Sequence, residues 1–369
     1  MTSPSVPDDR QRADEWSARP RLVSSTLKGH HHVLHVWPLE DRTWVKCREP
    51  RAELLWFDRR CFKSEEQLLR ALKEHRIECV PDVVDLGGVD VQAFIEGRTV
   101  GARRWWSSRR VPDPIFDQLV NLFRETVRIR PDMLKAERRC ESEDRPEDGD
   151  TDSFLERLIV FMQEQVYEPN RPVFEKLFQE LGIGDESFDR LRKRVYGLTR
   201  RPFCLLHADL HRKNLIVDRQ GRLWVIDWEL AMLGDPLYDL ATHLYLMRYP
   251  AHQENRMIQE WCRVVDRVRP GTSLGWEQDL PRILEFKRVQ SVFTDVIRES
   301  LKLRQRDDFN WAGLPLAAAR LHRILTAAAE PLGSRTVPTH PQIVAALVHW
   351  HRQTGTRTGT RPKPLPDAS

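Results

Sequence analysis

The chain has 369 residues, 40% of them hydrophobic and 31% charged, with a formal net charge of +4. This composition excludes a chain too polar to bury a core, and the length allows two domains or one large bilobal unit. The near balance of charge argues neither for nor against nucleic acid, but the basic residues form no stripe, so no nucleic-acid partner is expected. No apolar run approaches the roughly 18–20 residues of a transmembrane helix, and the N-terminus lacks the apolar segment of a secretory signal. The six cysteines show no CxxC spacing, which fits reduced thiols in a cytoplasmic protein and predicts no zinc site.

Residues 1–20 are polar and carry several prolines, and they read as a flexible arm. From Arg21 the runs LVSST, HVLHVWPL and TWVKCR are short and rich in Val, Leu, Thr and Trp, which predicts strands. Over 65–75 the spacing becomes helical: Leu68, Leu69 and Leu72 share a face, and Ser64 is the expected N-cap. CVPDVVDLGGVDVQAFIEG predicts two more strands meeting at Gly87-Gly88. The expected outcome is a small antiparallel sheet with one helix over 21–97, a link at 91–97, and a larger helical lobe over 98–352. In that lobe 113–129 is amphipathic. Segment 137–152 has no apolar period and reads as a loop. Ser153 with Glu156 predicts a capping box before FLERLIVFMQEQV, and ESFDRLRKRVYGL is helical. The strands expected here are NLIVD and RLWVID, joined at Arg219-Gln220-Gly221. From Asp239 to His351 the pattern is helical, with breaks at Pro250, Pro270-Gly271 and Pro331. A tail over 353–369, rich in Thr, Gly and Pro, reads as disordered.

The chemistry-bearing residues gather at that hairpin, in HADLHRKNLIVD and VIDWELAMLGDPLYDLA. Asp209 and Asn214 lie five positions apart, and the next strand returns Asp227 beside Asn214. A carboxylate to orient a hydroxyl, and oxygen donors for a hard cation, are what phosphoryl transfer requires. These stretches resemble the signature of the aminoglycoside phosphotransferase and choline kinase-like family: His-x-Asp, four residues, Asn, an apolar strand, Ile-Asp-Trp, then Gly-Asp-Pro-x-x-Asp-Leu-Ala. The chain matches every one of those positions in order. The resemblance implies a bilobal protein-kinase-like α+β fold and a small-molecule O-phosphotransferase using ATP, with GTP also open, and Mg²⁺. It implies Asp209 as the catalytic acid/base and Asn214 and Asp227 as metal ligands. The remaining polar residues are read structurally. His207 and His211 position the loop, Asp235 and Asp239 cap helices and hold it, and Trp228 belongs to the core.

The small lobe should supply a cation to the nucleotide. Lys46 lies inside an apolar strand and is the candidate, steadied by Glu65 from the following helix, with Glu66 as the other choice. The turn at Gly29, followed by three histidines, is the candidate phosphate-covering loop, although it lacks GxGxxG. In the link, backbone groups around Phe94, Ile95 and Glu96 are candidates for the adenine edge, and Gly97 is expected to let the chain turn into the large lobe. The acceptor is read as a small hydroxylated molecule: an antibiotic such as an aminoglycoside, or an amino-alcohol or sugar. The acidic segment 141–152 and the basic, Trp-bearing 101–114 point to opposite acceptor charges. A protein kinase and an inactive nucleotide-binding scaffold are the rival readings.

Overall fold

The computed structural model describes residues 25–28, 32–38, 44–50, 57–101, 110–304 and 308–355. The N-terminal arm, Gly29 with His30 and His31, the Trp105-Trp106 stretch and the tail from 356 onward lie outside the described residues.

Five strands form one antiparallel sheet: β1 Ser25–Lys28, β2 His32–Pro38, β3 Trp44–Pro50, β4 Val83–Asp85 and β5 Asp90–Ala93, in the order β1-β2-β3-β5-β4. The alternation of side chains along β3 has a functional consequence. Val45 packs on one face with Trp37 and Val91. Lys46 stands on the other, in register with Val36 and Gln92. That second face is covered by α1, Glu65–Glu74, whose Leu68, Leu69 and Leu72 are fully buried. Ser64 caps α1 through its hydroxyl to the Gln67 amide at 3.1 Å, as its position before two glutamates predicts.

After the link, β6 (Arg98–Thr99) pairs with β8 (Leu215–Val217), and β8 pairs with β9 (Leu223–Val225). Gly97 serves a close approach. Its φ is not positive, and a Cβ there would meet Ile216 Cγ2 and the Val217 carbonyl at 2.5 Å. The chain bends at Gly97, as expected, and the missing Cβ also lets that bend lie on the hairpin.

The rest is mainly helical: α2 Asp113–Thr126, α3 Thr151–Val160, α4 Glu168–Glu180, α5 Glu186–Val195, then β7 Cys204–Leu206, β10 Met232–Gly234, α6 Pro236–Met247, α7 Ala251–Val268, α8 Trp276–Leu303, α9 Leu314–Leu332 and α10 His340–Gly355. Several boundaries differ from expectation. The cap of α3 is Asp150, which accepts the Ser153 amide at 3.1 Å, so the helix starts ahead of the expected capping box. A π-helical stretch, Phe161–Tyr167, carries it into α4. Strands β7 and β10 pair with each other and have too few residues to show a period. Pro331 sits in the last turn of α9, which ends at Gly333 in the left-handed conformation, and α10 runs on to Gly355.

Three acids of the segment 141–152 are backbone anchors, Asp150 as the cap of α3 and two over long range. Asp148 accepts the Phe203 amide at 2.6 Å, and Asp152 accepts the amides of Gly197 and Leu198 at 2.8 and 2.9 Å. No helix among the described residues is long and apolar enough to cross a membrane.

Candidate active site

The loop between β7 and β8 is built by buried hydrogen bonds. Asp239, from α6, accepts the amides of His207 and Ala208 at 3.1 and 2.8 Å. Ala208 takes a positive φ of 63°, a conformation that needs such anchoring in a residue with a Cβ. His207 is fully buried against Trp228. Its Nε2 donates to the Ile226 carbonyl at 3.2 Å, and its Nδ1 accepts the Asp209 amide at 3.3 Å. Both histidines of the loop thus hold backbone. His211 Nδ1 accepts the Asn214 amide at 3.2 Å, so the ring is the neutral tautomer, with Nε2 3.8 Å from Asp209.

Asp209, Asn214 and Asp227 meet in one place. Asn214 is buried, and its Nδ2 donates to the Asp209 carbonyl at 3.1 Å and to Asp209 Oδ2 at 3.0 Å. The Ile226 amide donates to the Asn214 carbonyl at 3.0 Å, extending the β8–β9 ladder and setting Asp227 one residue beyond it. Asp227 is left-handed, with φ 69°. Asp209 and Asp227 line the same cleft, about 240 Å³ in volume, with Asp58 and with Lys287, Gln290 and Thr294 of α8. Burial, Asp227 and Asp58 together hold the Asp209 carboxyl well above the usual range. A quarter of the Asp209 side chain still meets the solvent of the cleft.

The small sheet reaches this cleft through the start of α1. Glu65 Oε1 accepts the Trp228 amide at 2.8 Å, tying the helix to the residue after Asp227. Glu66 faces the other way: it accepts Gln92 Nε2 at 2.8 Å, on the strand partner of Lys46. Lys46 is buried on that same face. In the link, the Phe94 amide donates to the Trp44 carbonyl at 2.7 Å. Glu96 faces Arg219 at 3.6 Å on the exposed hairpin turn.

Asp227 and Asn214 each offer a hard oxygen donor. Among the described residues there is no group of three or more His, Cys, Asp or Glu suited to a metal. Two oxygen donors suit Mg²⁺, which keeps waters and takes phosphate oxygens to complete its shell.

The sequence profile described as the phosphotransferase enzyme family matches residues 29–271. The chain belongs to that family. It is therefore a small-molecule kinase, transferring a phosphoryl group to a hydroxyl. Among solved structures it is similar to choline kinase LicA from Streptococcus pneumoniae, at 16% identity and a TM-score of 0.50, covering 87% of this chain and 98% of that one. It is also similar to the amicoumacin kinase hAmiN bound to AMP-PNP, Ca²⁺ and Ami, at 13% identity and a TM-score of 0.56, covering 91% and 97%. No curated protein sequence matches. These likenesses establish a protein-kinase-like bilobal fold for the phosphotransferase.

Sequence reasoning missed part of the site. Lys287 and Asp58 line the cleft but stand far from the motif and in no recognisable pattern. His243 was also missed. It is fully buried, one ring nitrogen 3.0 Å from the Leu210 carbonyl and the other 2.9 Å from the Tyr249 hydroxyl.

The enclosed histidines predict a pH dependence of the phosphotransferase's stability. Burial pulls His207 and His243 each down to about 4, from 6.5 in an ordinary imidazole. Between those values the unfolded chain binds protons that the folded one refuses, so stability is lost as pH falls through that window. Asp239 acts in the opposite sense: burial raises its carboxyl to about 6, and its protonation in the folded state offsets part of the loss. Asp209, also held high, acts in the same sense as Asp239, so the histidine contribution is isolated by substitution: His243→Gln is expected to lose less of its urea midpoint between about pH 7.5 and about pH 5 than the wild type does. An equal loss in the two proteins would show that the His243 ring is not held neutral.

Proposed function

We propose that this phosphotransferase moves the γ-phosphoryl group of ATP, with Mg²⁺, to a hydroxyl of a small molecule in the cytoplasm. The observation that carries the reading is that Asp209 and Asp227 line one cleft, with Asn214 hydrogen-bonded to Asp209. In this reading Asp209 orients the acceptor hydroxyl and takes its proton. Asn214 and Asp227 hold Mg²⁺, which supplies charge neutralisation to the nucleotide phosphates. Lys46 draws the non-transferring phosphates, with Glu65 fixing α1 against the Asp227 turn. The Gly29 turn covers the phosphates, and backbone at Phe94 and Glu96 meets the base, which ATP or GTP would satisfy. Nucleotide and acceptor lobes meeting at the 91–97 link would form the cleft. Positioning and charge stabilisation supply most of the acceleration.

The acceptor is a small hydroxylated compound: an antibiotic such as an aminoglycoside, or an amino-alcohol or sugar. A protein substrate is disfavoured by the chain after Asp227. A single turn, Trp228–Leu230, and the three residues of β10 lead directly to α6, leaving no segment on which a peptide could lie. A non-catalytic scaffold is disfavoured by the intact set of Asp209, Asn214, Asp227 and Lys46.

The test is nucleotide binding by calorimetry with and without Mg²⁺, then a screen of amino-alcohols, sugars and antibiotics for ADP release, with the product confirmed by mass. Absence of Mg²⁺-dependent nucleotide binding would sink the reading. Within it, Lys46→Met is expected to lose about 100-fold in kcat/KM for ATP, the loss of one preorganised cation on the phosphates. Steady-state kinetics in ATP check this, and an unchanged ratio would remove Lys46 from the phosphate site.

A further inference from the structure

Lys287 lies in the middle of α8, is 7% exposed, and lines the cleft together with Asp209 and Asp227. Its ammonium donates one hydrogen bond, to the Tyr238 hydroxyl at 3.1 Å, and stands 4.9 Å from the centre of that ring. Among the described residues no carboxylate lies within ion-pair distance of it. The other cation on this wall, Arg298, is differently placed: it pairs with Asp295 at 2.9 Å, while Glu229 of the lining is taken by Arg60 at 2.7 Å. Asp58 is held by Gln290 at 3.3 Å, one turn along α8.

An ammonium enclosed against a tyrosine hydroxyl costs stability, because desolvation is not repaid by a direct counter-ion. A fold needing only packing at this position would be served better by a neutral side chain. Burial alone would push Lys287 down, but Tyr238, Asp58 and Asp209 outweigh it and keep the ammonium charged. The result is a positive charge with two N–H donors left over, facing the reactive carboxylate across a cleft. His211, the nearer candidate on the loop, is neutral through its Nδ1 contact.

We propose that Lys287 is a further catalytic residue of this phosphotransferase, its ammonium donating to the non-bridging oxygens of the phosphoryl group in transit. This rests on the ATP-dependent reading above. In the step, a lone pair of the acceptor oxygen forms the new bond to the γ-phosphorus. The bond from that phosphorus to the bridging oxygen breaks, with its electron pair leaving on ADP. The acceptor proton passes to Asp209. Lys287 exchanges no proton; it stabilises charge on the equatorial oxygens from the side of α8, opposite the nucleotide-side cation. A cation beside Asp209 also favours the ionised carboxylate that receives the proton.

The experiment compares full-length wild type with Lys287→Met, using ATP hydrolysis by water with Mg²⁺ and no added acceptor, together with Kd values for ADP alone and for ADP with aluminium fluoride, a mimic of the transferring group. Expected is a fall of about 100-fold in kcat and in affinity for the aluminium fluoride complex, with KM for ATP and Kd for ADP within about threefold. A merely structural lysine would weaken both complexes equally or neither, and either result overturns the proposal. So does a kcat within about threefold of wild type. Should the neutral variant fail to fold, Lys287→Arg carries the test. Moving the charge while keeping it is expected to lower kcat at least about tenfold with Kd for ADP retained, and an unchanged kcat overturns the assignment. A wild type that neither binds nor hydrolyses Mg²⁺-ATP would instead refute the ATP-dependent reading itself, and the proposal with it.

Discussion

Exchanging Asp209 for asparagine is expected to lower turnover by between about 10² and 10⁴-fold, the usual contribution of a positioned proton acceptor. The change is nearly isosteric, and the amide can still meet Asn214 Nδ2 through its oxygen, so the loop geometry should survive. KM for ATP should move little, because Asp209 faces the acceptor. The same exchange is expected to raise Tm. Asp209 is a carboxylate held up by burial and by the charges of Asp227 and Asp58, so the ionised group is unfavourable to the fold. Loss of activity with a gain in stability is what a site built for chemistry should show. Steady-state kinetics and thermal unfolding on the same preparation check both. A variant that keeps wild-type turnover would remove Asp209 from the reaction. One that loses both activity and stability would make it a structural residue.

Arg201→Met is expected to have the largest effect on stability. The guanidinium has no exposed side-chain surface and lies between two carboxylates, 2.7 Å from Asp235 Oδ2 and 2.7 Å from Asp279 Oδ2. It also donates to the Leu274 carbonyl at 2.8 Å. Asp235 is needed elsewhere: it caps α6 at the Leu237 amide and accepts the Thr151 hydroxyl, both at 2.8 Å. Asp279 in turn accepts the Thr199 amide at 2.9 Å. Removing the cation strands two buried acids at the starts of α6 and α8, the helices that carry Asp239 and Lys287. The expected cost is about 3–5 kcal/mol, seen as a fall in Tm on the order of 10 °C for a chain of this size. At low temperature, where the variant is folded, kcat should stay near wild type, because no atom of Arg201 reaches the cleft. A fall in Tm of only a degree or two would mean that water enters and solvates the two acids.

The two variants separate what was legible from what was not. Asp209, Asn214 and Asp227 were readable because their geometry is local: a loop of fixed length and a tight hairpin bring them together whatever surrounds them. Lys46 was readable because a lysine within an apolar strand violates the pattern. Glu65 and Glu66 could be nominated as a pair, but their roles could not be assigned. Only packing of α1 aims Glu65 at the Trp228 amide and Glu66 at Gln92. Asp235 and Asp239 were correctly read as supports, though nothing near them announces Arg201.

The acidic run 141–152 shows the limit of composition. It reads as solvated charge or as a lure for a cationic acceptor, yet Asp148, Asp150 and Asp152 each hold backbone amides. Asp150 caps its own helix at Ser153, but the partners of Asp148 and Asp152, at 203, 197 and 198, lie about fifty residues away, and no local pattern records those contacts.

The sequence by itself determined the reaction class, the strands of the small sheet and of the β8–β9 hairpin, most of the helices, and the three acidic or amide groups of the hairpin. All of these depend on neighbours within a few positions. Only the tertiary structure decided which of Arg200 and Arg201 is buried, and which of Lys287 and Arg288 faces the cleft. The members of each pair are adjacent and chemically alike. What distinguishes them is the direction each side chain takes from its helix or loop and what packs against it, set by the whole fold.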